Sequence, residues 1–149
     1  MGSSAGGFAI NEMKREKQKG DYEENQQARF RTERPAVATS NFDKARSFYE
    51  GVLGLKFVAK DGFALVMEAN GTTIRIAKVG KVTPAQFTVL GWNVQDIQET
   101  ASALKKKGVK FERFAGMEQD ALGIWSAPGG ARVAWFKDPD GNILSVSEH

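Results

Sequence analysis

The pattern Gly-apolar-Lys-Phe occurs twice, as Gly54-Leu55-Lys56-Phe57 and Gly108-Val109-Lys110-Phe111, at an offset of 54 residues. A repeat of that length restricts the chain to folds built from two copies of one supersecondary unit. The surroundings of each copy agree. In the first half a strand through Pro35-Ala36-Val37-Ala38-Thr39 precedes Ser40-Asn41-Phe42-Asp43, which supplies helix N-cap candidates. Ala45, Phe48, Tyr49 and Val52 follow at helical spacing, Leu53-Gly54 stops the helix, and Leu55-Lys56-Phe57 begins a strand. In the second half Val89 to Val94 forms a strand, and Asp96 caps a helix carrying Ile97, Ala101, Leu104 and Lys105. Lys107-Gly108 stops that helix, and Val109-Lys110-Phe111 begins a strand.

Each half then closes on a strand pair. Phe63–Glu68 meets Thr73–Ile76 across Asn70-Gly71, and Arg132–Phe136 meets Ile143–Val146 across Asp140-Gly141. Pro139 fixes φ and ends the ladder, and Gly141 and Asn142 are expected to take the positive φ of a tight reversal. Both halves read β-α-β-β-β, an α+β chain. One helix covers one face of a four-stranded sheet, so the other face needs company. Two sheets curving around a shared hollow satisfy that need.

With 149 residues the chain is expected to hold one domain. It has no cysteine, which excludes disulfides, thiolate nucleophiles and sulfur-ligated zinc. Its single histidine is His149, the last residue, so histidine triads and His-rich metal sites lack material. A net charge of +3 is mild. Lys105-Lys106-Lys107 closes the second helix, where cations offset the helix dipole, and reads as that rather than as a nucleic-acid patch. No apolar run approaches the roughly 20 residues of a membrane span, and no secretory signal is visible at the N-terminus. A cytoplasmic protein without nucleic-acid or membrane partners is expected.

Residues 1–30 differ from the rest: a small, flexible start, then mostly Glu, Lys, Gln, Asn and Arg. They read as a disordered or transiently helical arm, with Phe8, Ile10, Met13 and Tyr22 as docking candidates. Patterning starts at about Arg31, giving a domain over 31–149, module one about 31–80 and module two about 86–149.

The segment Asn41-Phe42-Asp43-Lys44-Ala45-Arg46-Ser47-Phe48-Tyr49 with Leu53-Gly54-Leu55, and the stretch Trp135-Phe136-Lys137-Asp138-Pro139-Asp140-Gly141-Asn142, occur in that order inside the duplicated pattern. Together they resemble the glyoxalase / bleomycin-resistance / dioxygenase family, the vicinal-oxygen-chelate proteins. The resemblance implies an open eight-stranded barrel with a pocket between its sheets, and a homodimer. It further implies metal ligands taken from the first and last strand of each module, where relatives often carry a glutamate at the position of Ser145. Mapped onto this chain, those positions are Arg34, Arg75, Val89 and Ser145.

Strand alternation sorts the faces independently. Leu90, Trp92 and Val94 form the row that packs on the helix, leaving Val89, Gly91 and Asn93 toward the hollow. Ile74 and Ile76 pack, so Arg75 faces in, and Leu144 and Val146 pack, so Ser145 faces in. None of the four mapped side chains is an ordinary ligand for zinc, iron, manganese or magnesium, and Glu33 and Glu148 would each need their strand flipped. No cofactor is expected.

Two arginines, Arg34 and Arg75, would instead give the hollow a positive focus for an anionic or carbonyl-rich molecule, unless Arg34 lies at a frayed strand start and Arg75 at a rim, both in water. Trp135 is the alternate of the core residue Phe136 and offers a stacking surface or a structural wall. The stretch Gly116–Gly130, with Met117, Leu122, Ile124 and Trp125, reads as a mobile lid or as a loop against a dimer partner. Asp138 and Asp140 are read as holding backbone amides rather than as an acid/base pair, and Glu118 with Asp120 as solvated unless closure of the lid desolvates them into a base. The expected ligand-binding set is thus Arg34, Arg75, Asn93, Trp125, Trp135 and Ser145, with no catalytic residue assigned. The leading reading is a metal-free small-molecule binding protein whose ligand is anionic or aromatic. The alternative is a divalent-metal lyase, isomerase or dioxygenase. A third is an interaction subunit with a vestigial pocket.

Overall fold

The computed structural model of the chain describes residues 35–149; the expected arm over 1–30 and Arg34 lie outside them. Module one runs β1 (Ala36–Thr39), α1 (Phe42–Arg46, continued by a π-helical turn Ser47–Val52), β2 (Lys56–Lys60), β3 (Ala64–Ala69) and β4 (Thr72–Lys78). Module two runs β5 (Thr88–Asn93), α2 (Ile97–Lys106), β6 (Trp125–Ser126), β7 (Arg132–Lys137) and β8 (Ile143–Glu148). The two sheets have matching orders, β1-β4-β3-β2 and β5-β8-β7-β6, each with one parallel pair and two antiparallel pairs. The two sheets remain separate and do not close into a barrel.

Both helices start where the caps predict. Lys44 N–H donates to Asn41 Oδ1 at 3.0 Å, and Glu99 N–H to Asp96 Oδ1 at 3.0 Å, each satisfying an otherwise orphaned amide. Their ends explain the repeated tetrapeptide. Gly108 takes φ +94°, its N–H donates to Lys105 O, and Val109 N–H donates to Leu104 O, the double bond of a Schellman stop. Gly54 takes φ +75° and Leu55 N–H reaches Tyr49 O, the same device widened by the π turn before it. The residue after each glycine, Leu55 or Val109, is buried against the core.

Three expectations need correction. Val109-Lys110-Phe111 does not start a strand: Val109 N–H is spent on the helix stop, and only Phe111 bridges to Phe136. The fourth strand of that sheet is the two-residue β6. Asn142 does not take positive φ; in the five-residue 138–142 loop only Gly141 does, at +87°. Val89 is not in the alternation of β5, because the register shifts between Thr88 and Leu90 and leaves Val89 as a bulge residue packed on the core. The Asn70-Gly71 turn is as predicted, with φ of 50° and 84°.

Ile74, Ile76, Leu65 and Met67 from one sheet and Ala134, Phe136, Leu144 and Val146 from the other join both helices in one core. Polar bonds fasten the modules across it. Tyr49, fully buried, donates its hydroxyl to Asp138 Oδ2 at 2.7 Å. Asn142 Nδ2 donates to Ala38 O at 2.8 Å, while Thr39 Oγ1 and Ser40 Oγ donate to Asp140 at 2.6 and 2.7 Å. Burial and the neighbouring Asp138 carboxylate push the Tyr49 phenol far above its ordinary value, so it stays a donor. Burial works against the charge of Asp140, but the bonds from Thr39 and Ser40 outweigh it and hold its pKa below the usual carboxylate value.

Candidate functional site

Strand pairing places two rows on the face of the second sheet that points away from the core. Gly91, Ser145 and Trp135 stand side by side across β5, β8 and β7. Asn93, Ser147, Val133 and Trp125 form the next row, reaching β6. Trp125 and Trp135 are diagonal neighbours, their ring centroids 6.1 Å apart and tilted by 36°. Phe114 stands edge-on to Trp135 at 5.4 Å. The result is a half-exposed aromatic wall beside a shallow floor.

The floor is shallow because Gly91 lies against Ser145. A Cβ built on Gly91 would sit 2.5 Å from Ser145 Oγ, closer than side chains pack. Glycine inside a strand often marks such an approach, and that signal was available in the sequence. Phe114 gave no comparable signal, since it lies outside every predicted element.

Arg75 occupies the corresponding face of the first sheet, opposite Ala36 and Val66, with Ala38, Ala77 and Thr73 around it. It is exposed, and no hydrogen bond, ion pair or ring contact joins it to the tryptophan face. The structure therefore brings Asn93, Trp125, Trp135 and Ser145 onto one surface and leaves Arg75 on another.

The segment before β6 is not a free lid. Gln119 Nε2 donates to Glu112 O and Gly123 O, and its Oε1 accepts from Phe114 N–H at 2.8 Å. Asp120 Oδ1 accepts from Leu122 and Ile124 N–H, and Arg113 donates to the carbonyls of Asp120 and Ala121. Ile124 is buried beneath it. Hydrogen bonds from within the loop thus brace Phe114 and Trp125, and Asp120 is spent on backbone amides. Asp138 is spent likewise, on the N–H groups of Asp140 and Asn142.

The sequence pattern of the Glyoxalase/Bleomycin resistance protein/Dioxygenase superfamily matches residues 31–146. The chain belongs to that superfamily. A curated relative, the uncharacterized protein YraH of Bacillus subtilis (strain 168), is 27% identical over 126 residues, covering 74% of this chain and 91% of its own. Among solved structures, a glyoxalase family protein from Bacillus anthracis superposes with a TM-score of 0.64 at 19% identity, covering 80% of this chain and 97% of that one. A bleomycin-binding protein complexed with bleomycin gives 0.63 at 20% identity, with 80% and 99% covered. Lactoylglutathione lyase from Agrobacterium tumefaciens gives 0.63 at 18%, with 79% and 92% covered. These likenesses establish the glyoxalase-like fold.

Metal-dependent members of the superfamily imply a divalent cation, and the residues present do not fit one. Of the mapped positions within the described residues, Arg75 is a cation, Val89 is a bulge hydrocarbon, and Ser145 is a neutral hydroxyl pressed against Gly91. Among the described residues no group of three or more His, Cys, Asp or Glu side chains is arranged to hold an ion. Glu148 is engaged elsewhere, accepting from Ile97 N–H and from Arg132.

Proposed function

We propose that this superfamily member binds a small planar molecule without a metal, at the face built from Gly91, Asn93, Trp125, Trp135 and Ser145. The observation that carries the reading is the Gly91–Ser145 floor beside the Trp125–Trp135 wall. An aromatic wall supplies stacking area at low conformational cost, and the floor leaves room for a ring to lie on it. Ser145 Oγ and the Asn93 amide, from adjacent rows, orient a carbonyl or hydroxyl by hydrogen bonding.

On the same reading the protein works as a homodimer in the cytoplasm. A half-exposed aromatic face gains from cover, and a second copy could offer the alanine-floored face bearing Arg75, whose guanidinium suits a carboxylate. Among the described residues no helix is long and apolar enough to cross a membrane. The solved bleomycin-binding protein of similar fold holds bleomycin, which supports a small organic ligand for this chain.

The test is a fluorescence titration with a panel of aromatic carboxylates and their uncharged amides. Trp135→Ala is expected to weaken binding by about tenfold or more, roughly 1.4 kcal/mol. Arg75→Ala is expected to weaken the carboxylates and leave the amides unchanged. Equal affinity of parent and Trp135→Ala for every compound would dispose of the proposal.

A further inference from the structure

A concavity of about 670 Å³ opens at the junction of the two modules, within the usual size of small-molecule pockets. Its depth is apolar: Leu55, Leu104, Phe136 and Val146, all buried residues, form the bottom, with Trp92 on the side. Phe136 and Val146 belong to the core faces of β7 and β8, so this cleft approaches the second sheet from the side opposite Trp135 and Ser145. The mouth is polar and carries both signs of charge. Lys56 and Glu68 stand directly across β2 and β3 from each other, and Asn70, Asn93 and Thr100 complete the rim.

We infer that this cleft is a second ligand site, sharing only Asn93 with the tryptophan face and taking a ring-bearing apolar molecule without net charge. The apolar bottom gains by displacing water from Phe136, Val146 and Leu104. The balanced Lys56 and Glu68 give no reason to favour either sign, and a strongly charged ligand would lose solvation without a dedicated partner. Asn70, Thr100 and the two charged side chains hold a hydroxyl, amide or zwitterionic head at the mouth. The two sites meet at β5: Asn93 borders both, while Trp92 points into the cleft and Gly91 lies on the opposite face.

The experiment uses the full chain with N-phenyl-1-naphthylamine, a neutral probe that fluoresces in apolar surroundings, and 8-anilinonaphthalene-1-sulfonate as its anionic counterpart. The neutral probe is expected to bind one site per chain at least tenfold more tightly than the sulfonate. Ala69→Trp, which fills the cleft, should weaken it at least tenfold, while Trp135→Ala should change it less than twofold. Should Ala69→Trp fail to fold, amide shifts in the native chain decide: the probe must move Leu55, Lys56, Gly71 and the Trp92 indole and spare Ser145 and Trp135. Shifts confined to the tryptophan face would overturn the inference. So would cleft amides already protected without probe and released on dilution, since a second copy would then fill the space. This inference stands apart from the proposed function, because loss of binding at Trp135 leaves the cleft measurement unaffected.

Discussion

Tyr49→Phe removes one atom from the seam between the modules. In the native chain that hydroxyl is fully buried and donates to Asp138 Oδ2 at 2.7 Å. A hydrogen bond to a charged group contributes about 1.5–3 kcal/mol. Asp138 would keep its bonds from the N–H groups of Asp140 and Asn142 and from Asn142 Nδ2, so the carboxylate is not left bare. The loss should therefore fall in the lower part of that range, about 2 kcal/mol, which for a domain of this size lowers Tm by roughly 6–8 °C. Urea unfolding should show a lower midpoint at unchanged slope. A cycle with Asp138→Asn should return a coupling of about 1–2 kcal/mol.

The pH dependence adds a second readout. The unfolded phenol ionises near 10.0, whereas the folded one is held neutral well above that. The folded state then binds more protons, so this group's contribution is complete below pH 10.0 and declines as pH rises further. The gap in stability between parent and Tyr49→Phe should shrink in that range. A loss under about 0.5 kcal/mol, with additive effects in the cycle, would refute the seam argument.

Two further outcomes follow from the same geometry. Asp140 has a folded pKa below its ordinary 3.8, so its contribution is complete above pH 3.8 and is lost as pH falls through the lower folded value; Asp140→Asn should flatten that acid limb in thermal melts. Gly91→Val forces a Cβ to within 2.5 Å of Ser145 Oγ, and should cost about 1–3 kcal/mol in urea unfolding, with most of it recovered in a Ser145→Gly background.

The fold was legible because its signals are local and occur twice. The caps Asn41 and Asp96, the glycine stops and the Asn70-Gly71 turn each have a backbone reason that the sequence displays. Strand alternation also put Trp135 and Ser145 on the face opposite the core, since the buried residues Phe136, Leu144 and Val146 fix the parity. What escaped was non-local. A bulge at Val89 depends on how β5 meets β8, and the failure of Val109–Phe111 as a strand depends on a helix stop claiming the Val109 amide. The braced loop was hidden for the same reason: Gln119 and Asp120 look like solvated polar residues until their backbone acceptors and donors are brought around them. The seam bond of Tyr49 to Asp138 spans 89 positions, beyond the reach of any periodicity.

Elemental analysis of chain purified without chelator, then dialysed against zinc, manganese, nickel and ferrous iron, addresses the core of this account most directly. Only trace metal should remain, and the Trp125–Trp135 face should bind its planar ligand equally well with or without EDTA. Retention of about one ion per chain, held by oxygen or nitrogen donors of this protein, would contradict it.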